Sequence, residues 1–367
     1  GPGPEGLDRL LTVLETVREE YVEPVDEGKL MQGAARGLVE ALGDPYSAFI
    51  EPSQFRETMI HTSGTYQGVG ISVTEVGRYV TVVSVFRGTP AFEAGLRSGD
   101  RLIRVNGQDV VGTPIDQVVE LIRGPEGTEV TLTLLRGEND QEIVARLKRS
   151  NIRVPTVESR MLEGKVGYLA ISQFLGTTSR DVGLRLKALE QEGMKGLVLD
   201  LRNNPGGLLD QAVKVAQYFV PEGPIVSVVD RQGEQFTYRS QAKGFKLPLA
   251  VLIDGGSASA AEVLAGAIQD RGVGKLVGTR TFGKVAVQNL HRLADGSGLR
   301  ITTARYYPPS GRKLDQVGLE PDLEVPASEA REAGREGAAL AGDAAESPDP
   351  QLEAAVELVL QEIAARG

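Results

Sequence analysis

The chain has 367 residues, 41% of them hydrophobic and 25% charged, with ten net negative charges and no cysteine. That length calls for two or three domains, and the composition is that of an ordinary soluble protein. The acidic balance argues against nucleic acid as a partner, because phosphate binding asks for a basic surface. The missing cysteines exclude disulfides, thiolate nucleophiles and cysteine-held metals.

Taken in chain order, residues 5 to about 42 read as two helices. Leu7, Leu10, Leu11, Leu14 and Val17 keep helical spacing, Pro24 interrupts it, and Leu30, Met31, Ala34, Leu38 and Leu42 resume it. The start Gly1-Pro2-Gly3-Pro4 lacks a methionine and reads as a trimmed or tag-cleaved terminus. No apolar run approaches the roughly 20 residues of a membrane-spanning helix, and no signal peptide is present.

From Gly64 to about Lys148 the chain is β-rich. A glycine loop, Tyr66-Gln67-Gly68-Val69-Gly70-Ile71, enters a strand, and a second strand runs from Tyr79 to Val85. A short helix from Pro90 to Leu96 follows, then a strand ending in the Asn106-Gly107 turn, and a helix from Ile115 to Ile122. This order resembles a PDZ domain, whose sheet edge accepts a peptide as an added strand while glycine-loop N–H groups meet the terminal carboxylate.

Strands at Val166 to Ile171 and Gly196 to Leu201 precede Asn203-Asn204-Pro205-Gly206-Gly207, and a helix follows from Leu208 to Phe219. The apolar run Leu247 to Asp254 then turns at Gly255-Gly256 into a helix starting at Ala260. Ser259 therefore stands where a strand becomes a helix, which exposes its hydroxyl beside unpaired N–H groups and the positive end of a dipole. The backbone N–H groups of Gly206 and Ala260 are the expected donors to an oxyanion.

Serine needs a base. The chain has only His61, in a polar connector, and His291, at a strand position, and neither has the setting of a triad histidine. Lys284, with Gln288 four residues on, is the alternative. A lysine acts as a base only when neutral, so burial must bring its pKa from about 10.4 toward roughly 7 to 8. Taken singly, Ser259 is as readily a helix cap and Lys284 a solvated charge.

Five motifs in order carry a resemblance. They are Gly43-Asp44-Pro45-Tyr46-Ser47, the run from Asp200 to Leu208, Gly256 to Glu262 with Thr281 to Lys284 and Gln288, Thr302 to Arg312, and Gly318 to Asp322. The chain is similar to the carboxyl-terminal processing peptidases, or tail-specific proteases. The resemblance implies Ser259 as nucleophile, Lys284 as general base and Gln288 as the residue orienting it. It implies an α/β fold: a crotonase/ClpP-like ββα core at 149–326 with an inserted PDZ domain at 64–148 and an N-terminal helical arm at 1–63.

The resemblance further implies that the arm can dimerise or build a higher oligomer, that an adaptor protein can take part, and that Arg123 couples peptide binding to the active site. A periplasmic or other extracytoplasmic address is expected, with substrates that are proteins or peptides with exposed C-termini and with no cofactor or metal. Residues 327–349 read as a linker and 350–367 as a final amphipathic helix. One departure stands out, since Val285 follows the lysine where the family usually has glycine. It keeps open a weakly active protease body serving a PDZ binding module; an acyl-CoA enzyme of the crotonase type is disfavoured by the lack of a basic nucleotide-binding cluster.

Overall fold

The computed structural model describes residues 4–328 and 348–366. The chain forms two compact units, one made of Gly1–Thr58, Asp230–Gly233 and Ala286–Arg305, the other of Met59–Val229, Glu234–Val285 and Tyr306–Gly367.

In the first unit the expected helices are Pro4–Glu20 and Glu27–Glu40, the second capped by the Asp26 side chain on Lys29 N–H. Leu7, Leu10, Leu11 and Leu38 are exposed. The short strand Ala48–Ile50 pairs antiparallel with Gly298–Tyr307, which pairs on its other edge with Ala286–Arg292. A helix not anticipated from the sequence, Pro52–Ser63, opens on proline, the residue best suited to a first helical turn. It corrects the reading of His61, which lies in this helix and not in a connector.

In the second unit a six-stranded sheet runs in the order Val157–Met161, Val166–Ile171, Gly196–Asp200, Leu249–Ile253, Lys275–Gly278, Leu323–Glu324. Its first pair is antiparallel and the rest are parallel. Parallel neighbours require crossovers, supplied here by helices Thr178–Gln191, Leu209–Phe219 and Ala260–Asp270. Both faces are covered, so the central strands Gly196–Asp200 and Leu249–Ile253 are buried at every position and not at alternate ones.

One face, with Val166, Val198, Ala250, Leu252 and Val277, packs against Ala355 and Val359 of the terminal helix Pro350–Arg366. The polar end of that contact is a buried ion pair: the Arg202 guanidinium bonds both Asp200, at 2.6 Å, and Asp349, at 2.8 Å. Residues 329–347, most of the expected linker, lie outside the described residues.

The β-rich insertion has its own six-stranded sheet, in which Ile71–Val76, Tyr79–Val85, Arg101–Val105, Glu129–Arg136 and Gln141–Lys148 are successive neighbours and Gln108–Asp109 pairs with Arg101–Val105. The sheet closes on a core that includes Val82, Leu102, Leu132 and Leu134. The insertion enters through the strand Thr65–Gly68 and leaves through Ser150–Arg153, and these two pair antiparallel with each other.

Candidate active site

Ser259 is the N-cap of the helix Ala260–Asp270, with φ 54° and ψ −116°. A positive φ on a non-glycine residue is a strained conformation that persists only where the surroundings hold it. Here they do. Asp254 accepts N–H bonds from Asn203 and Gly256, each at 2.9 Å, while Ser257 donates to Leu201 O at 2.8 Å and Ala258 N–H reaches Asn204 O at 2.9 Å. The turn is thus fastened to the loop that follows the strand Gly196–Asp200.

The lysine segment is fastened as well. Gly283 has φ +87°, and a Cβ there would come within 3 Å of backbone atoms of Leu314, Val317 and Gly318, so only glycine fits. Thr281 N–H bonds Leu319 O at 3.1 Å and Phe282 N–H bonds Ser257 O at 3.0 Å. Val285 is buried, and its carbonyl accepts the Tyr306 N–H at 3.0 Å. The strand Ala286–Arg292 begins at the next residue. The family departure at Val285 therefore falls on a buried position that does not require the positive φ only glycine readily adopts.

The Ser259 and Lys284 segments meet at one side chain. The fully buried Glu262 accepts at Oε2 from Ser259 N–H and from Lys284 N–H, both at 2.9 Å. At Oε1 it accepts from Thr281 Oγ at 2.5 Å and Gly283 N–H at 2.7 Å. The Tyr306 hydroxyl adds bonds to Ser259 O, at 3.1 Å, and to Glu262 Oε2, at 3.4 Å. Burial pushes the Glu262 carboxyl above its ordinary range, although the donors from Thr281, Gly283, Lys284 and Ser259 pull the other way. Burial, then the charge of Glu262 and the hydrogen bond to it, pushes the Tyr306 phenol well above its usual value.

Sequence reasoning gave Glu262 no role. The signal was present, because Ser259 and Glu262 have the S-x-x-E spacing in which the glutamate reaches back to the cap N–H. A second omission is Asn204, fully buried, whose amide donates to Ile171 O at 2.7 Å and accepts the Gly206 N–H at 2.8 Å. Gly206, at φ +100°, lies so close to Ser259 that a Cβ on it would stand 2.8 Å from the Ser259 Cβ and 2.9 Å from Ala260 N. Ala260 opens its helix, and the first N–H groups of a helix have no acceptor within it. Gln288 belongs to the first unit, in the strand Ala286–Arg292, opposite Thr302.

In the insertion, Tyr66, Gln67 and Gly68 are part of the strand Thr65–Gly68, so the turn itself is narrower than the sequence suggested and centres on Val69 and Gly70 before Ile71 opens the next strand. The Tyr66 hydroxyl bonds Ile71 O at 3.3 Å, and the Arg123 guanidinium lies 5.4 Å from the centre of the Tyr66 ring. Burial, eased by the Arg123 charge, pushes the Tyr66 phenol up to about 12. Gly70 has φ +90°, and a Cβ there would meet Thr89 Oγ at 2.3 Å. Gly70→Ala is expected to disorder this turn and abolish any preference for a peptide with a free C-terminus over its amide. Competitive cleavage of the two peptides measures that preference, and an unchanged ratio would remove the turn from recognition.

Among the described residues no group of three or more His, Cys, Asp or Glu side chains could hold a metal ion.

The chain is similar to known proteins. Residues 165–325 match the pattern of peptidase family S41, residues 81–136 that of a PDZ domain, and residues 3–53 that of the activating protease CtpB N-terminal domain. A carboxy-terminal-processing protease of Bartonella bacilliformis is 38% identical over 327 residues, covering 87% of this chain and 75% of the relative. A probable CtpA-like serine protease of Staphylococcus aureus is 35% identical over 323 residues, and the chain spans 64% of its length and matches over 87% of its own. The solved photosystem II D1 C-terminal processing protease is similar at a TM-score of 0.52 with 32% identity, covering 86% of each chain. With an S41 segment that carries Ser259, Glu262 and Lys284, and with relatives matched over most of its length, the chain belongs to the serine-type peptidase family S41, among the carboxy-terminal-processing proteases that carry a PDZ domain.

Proposed function

We propose that this protein is an endopeptidase that takes up the exposed C-terminal segment of a protein through its PDZ unit and cleaves it by a Ser-Lys-Gln mechanism. The observation that carries the reading is the shared carboxylate of Glu262, which holds the backbone of Ser259 and that of Lys284 on one oxygen.

In this mechanism neutral Lys284 removes the Ser259 proton as Oγ attacks the scissile carbonyl. The oxyanion is met by the N–H groups of Gly206 and Ala260. Lys284 then returns the proton to the departing amine, and the acyl-enzyme forms. Next it takes a proton from water as the water oxygen attacks the acyl carbon, and gives that proton to Ser259 Oγ as the ester bond breaks and the new C-terminus leaves. Gln288 orients the lysine amine. The Gly206 N–H rests on the Asn204 side chain, so the oxyanion has to take over from that acceptor, which fits an enzyme with a resting form.

The PDZ unit, taken as 64–148, reads the substrate carboxylate at Tyr66 to Ile71, and Arg123 on the Tyr66 ring transmits occupancy toward the protease core at 149–326. The exposed apolar residues of the N-terminal arm suit a homodimer or higher oligomer, and an adaptor is compatible with the same surface. An extracytoplasmic, periplasmic or cell-envelope setting fits the Bartonella and Staphylococcus relatives. No described helix is long and apolar enough to cross a membrane.

Mass spectrometry of unfolded casein incubated with wild type and with Ser259→Ala tests the reading. New C-termini are expected with wild type only, at a rate that rises as pH climbs and more lysine is neutral. A rate that peaks near pH 5 would assign the proton to a carboxylate instead.

A further inference from the structure

The motif Gly43 to Ser47 takes no part in the chemistry just described, yet its polar atoms converge on one strand. Asp44 closes a tight turn, accepting from Tyr46 N–H at 3.1 Å and from the Ser47 hydroxyl at 2.5 Å. A hydroxyl that donates once still has lone pairs to offer. Ser47 Oγ uses one to accept the Thr302 N–H at 3.1 Å. Beside it, Arg300 Nε donates to Tyr46 O at 2.9 Å, and Ala48, Phe49 and Ile50 continue the contact by pairing with Arg300, Leu299 and Gly298. A side chain thus receives the Thr302 N–H where a strand partner's carbonyl would ordinarily do so.

Thr302 is also where the neighbouring register breaks. Val287 pairs with Ala304 but Gln288 pairs with Thr302, which leaves Thr303 as the extra residue of a bulge. Bulges bend a strand and re-aim the side chains beside them. Across that bulge stands Gln288, whose buried Nε2 has no hydrogen-bond partner among the described residues. No hydrogen bond holds that nitrogen, so the backbone of the bulged pair sets its direction.

The geometry points to Asp44 and Ser47 as positioning residues for Gln288: the Asp44-oriented hydroxyl of Ser47 holds Thr302, Thr302 fixes the bulge, and the bulge aims the amide. This rests on the reading above in which Gln288 orients the catalytic lysine. It gives the Gly43 to Ser47 motif a part in the reaction without any contact with substrate. The Asp44 carboxyl lies below its ordinary range; burial acts to raise it, and the hydroxyls of Ser47 and Thr302 with the N–H groups of Tyr46 and Ser47 outweigh that.

The test is a double-mutant cycle on cleavage of a casein-derived peptide, with folded fraction matched by circular dichroism. It compares wild type, Ser47→Ala, Ser47→Thr, Gln288→Ala and the double variant Ser47→Ala with Gln288→Ala. Ser47→Ala is expected to lower kcat about tenfold with KM little changed, because misplacing a group by a fraction of an ångström costs rate more than binding. Ser47→Thr, which keeps the hydroxyl, is expected to restore most of that loss. The double variant should be no slower than Gln288→Ala alone, since two residues acting through one effect do not add.

Losses that multiply in the double variant, or a raised KM at constant kcat, overturn the inference and leave the Ser-Lys-Gln reading intact. A wild-type rate in Gln288→Ala overturns the role of Gln288 itself, and this inference with it. Should Ser47→Ala fail to fold, Asp44→Asn carries the same cycle, because it keeps one acceptor for the turn while weakening the hold on the hydroxyl.

Discussion

Ser259→Ala and Lys284→Ala will each reduce peptide cleavage to the background rate, and the double variant will be no slower than either. A nucleophile and its base work as a unit, and in serine peptidases loss of either member costs on the order of 10⁴-fold or more in kcat. The Glu262 anchors on both segments are backbone N–H bonds that alanine keeps, so folding should be preserved, which unfolding curves will show. A residual rate above about a tenth of wild type in either variant would take that residue out of the chemistry, since a missing general base alone normally costs 10²-fold or more.

Glu262→Ala should abolish activity and also weaken the fold. Removing the carboxylate leaves the N–H groups of Ser259, Gly283 and Lys284 and the Thr281 hydroxyl without their buried acceptor. Each such orphan costs about 1 to 3 kcal/mol, partly relieved by relaxation, so a loss of about 3 to 5 kcal/mol is expected. Denaturant midpoints measure it. Glu262→Gln keeps the shape but turns one acceptor into a donor facing donors, and should fall between. Because burial raises the Glu262 carboxyl in the folded state, its contribution is fully present below the unfolded value near 4.3 and declines as pH rises through the folded one. The stability advantage of wild type over Glu262→Gln should therefore narrow with rising pH. An advantage that widens would show that the bound donors outweigh burial.

Much of this architecture could be read from residue patterns. The helices at Ile115–Ile122, Leu209–Phe219 and Ala260–Asp270 stand within a residue or so of where apolar spacing put them, because each has one face to bury. Ser259 was legible for a related reason: a glycine pair between an apolar strand and an amphipathic helix leaves few conformations for the residue at the junction. What could not be read were the long-range partners. Nothing in Asp200 to Leu208 says that Arg202 will pair with Asp349 across the chain, or that Asn204 will hold the Gly206 N–H. Such bonds are fixed by which loops the sheet order brings together, and local pattern carries no record of them. The membership of Ala286–Arg305 in the same compact unit as the N-terminal residues was hidden for the same reason.

The paired strands Thr65–Gly68 and Ser150–Arg153, with the bond from Val154 N–H to Gly64 O at 2.9 Å, make the insertion a cassette. Its two ends are already joined, so to the protease core the whole segment behaves like a short turn, whatever its internal length. Loop-closure entropy of the insert is settled within the ribbon and is not charged to the core strands. Domain exchange has the best chance at such a neck, where the backbone bonds of host and guest are separately complete. On the proposed function, a chimera that grafts a different peptide-reading module between Gly64 and Val154 is expected to change which tails are captured while leaving Ser259, Glu262 and Lys284 where they stand.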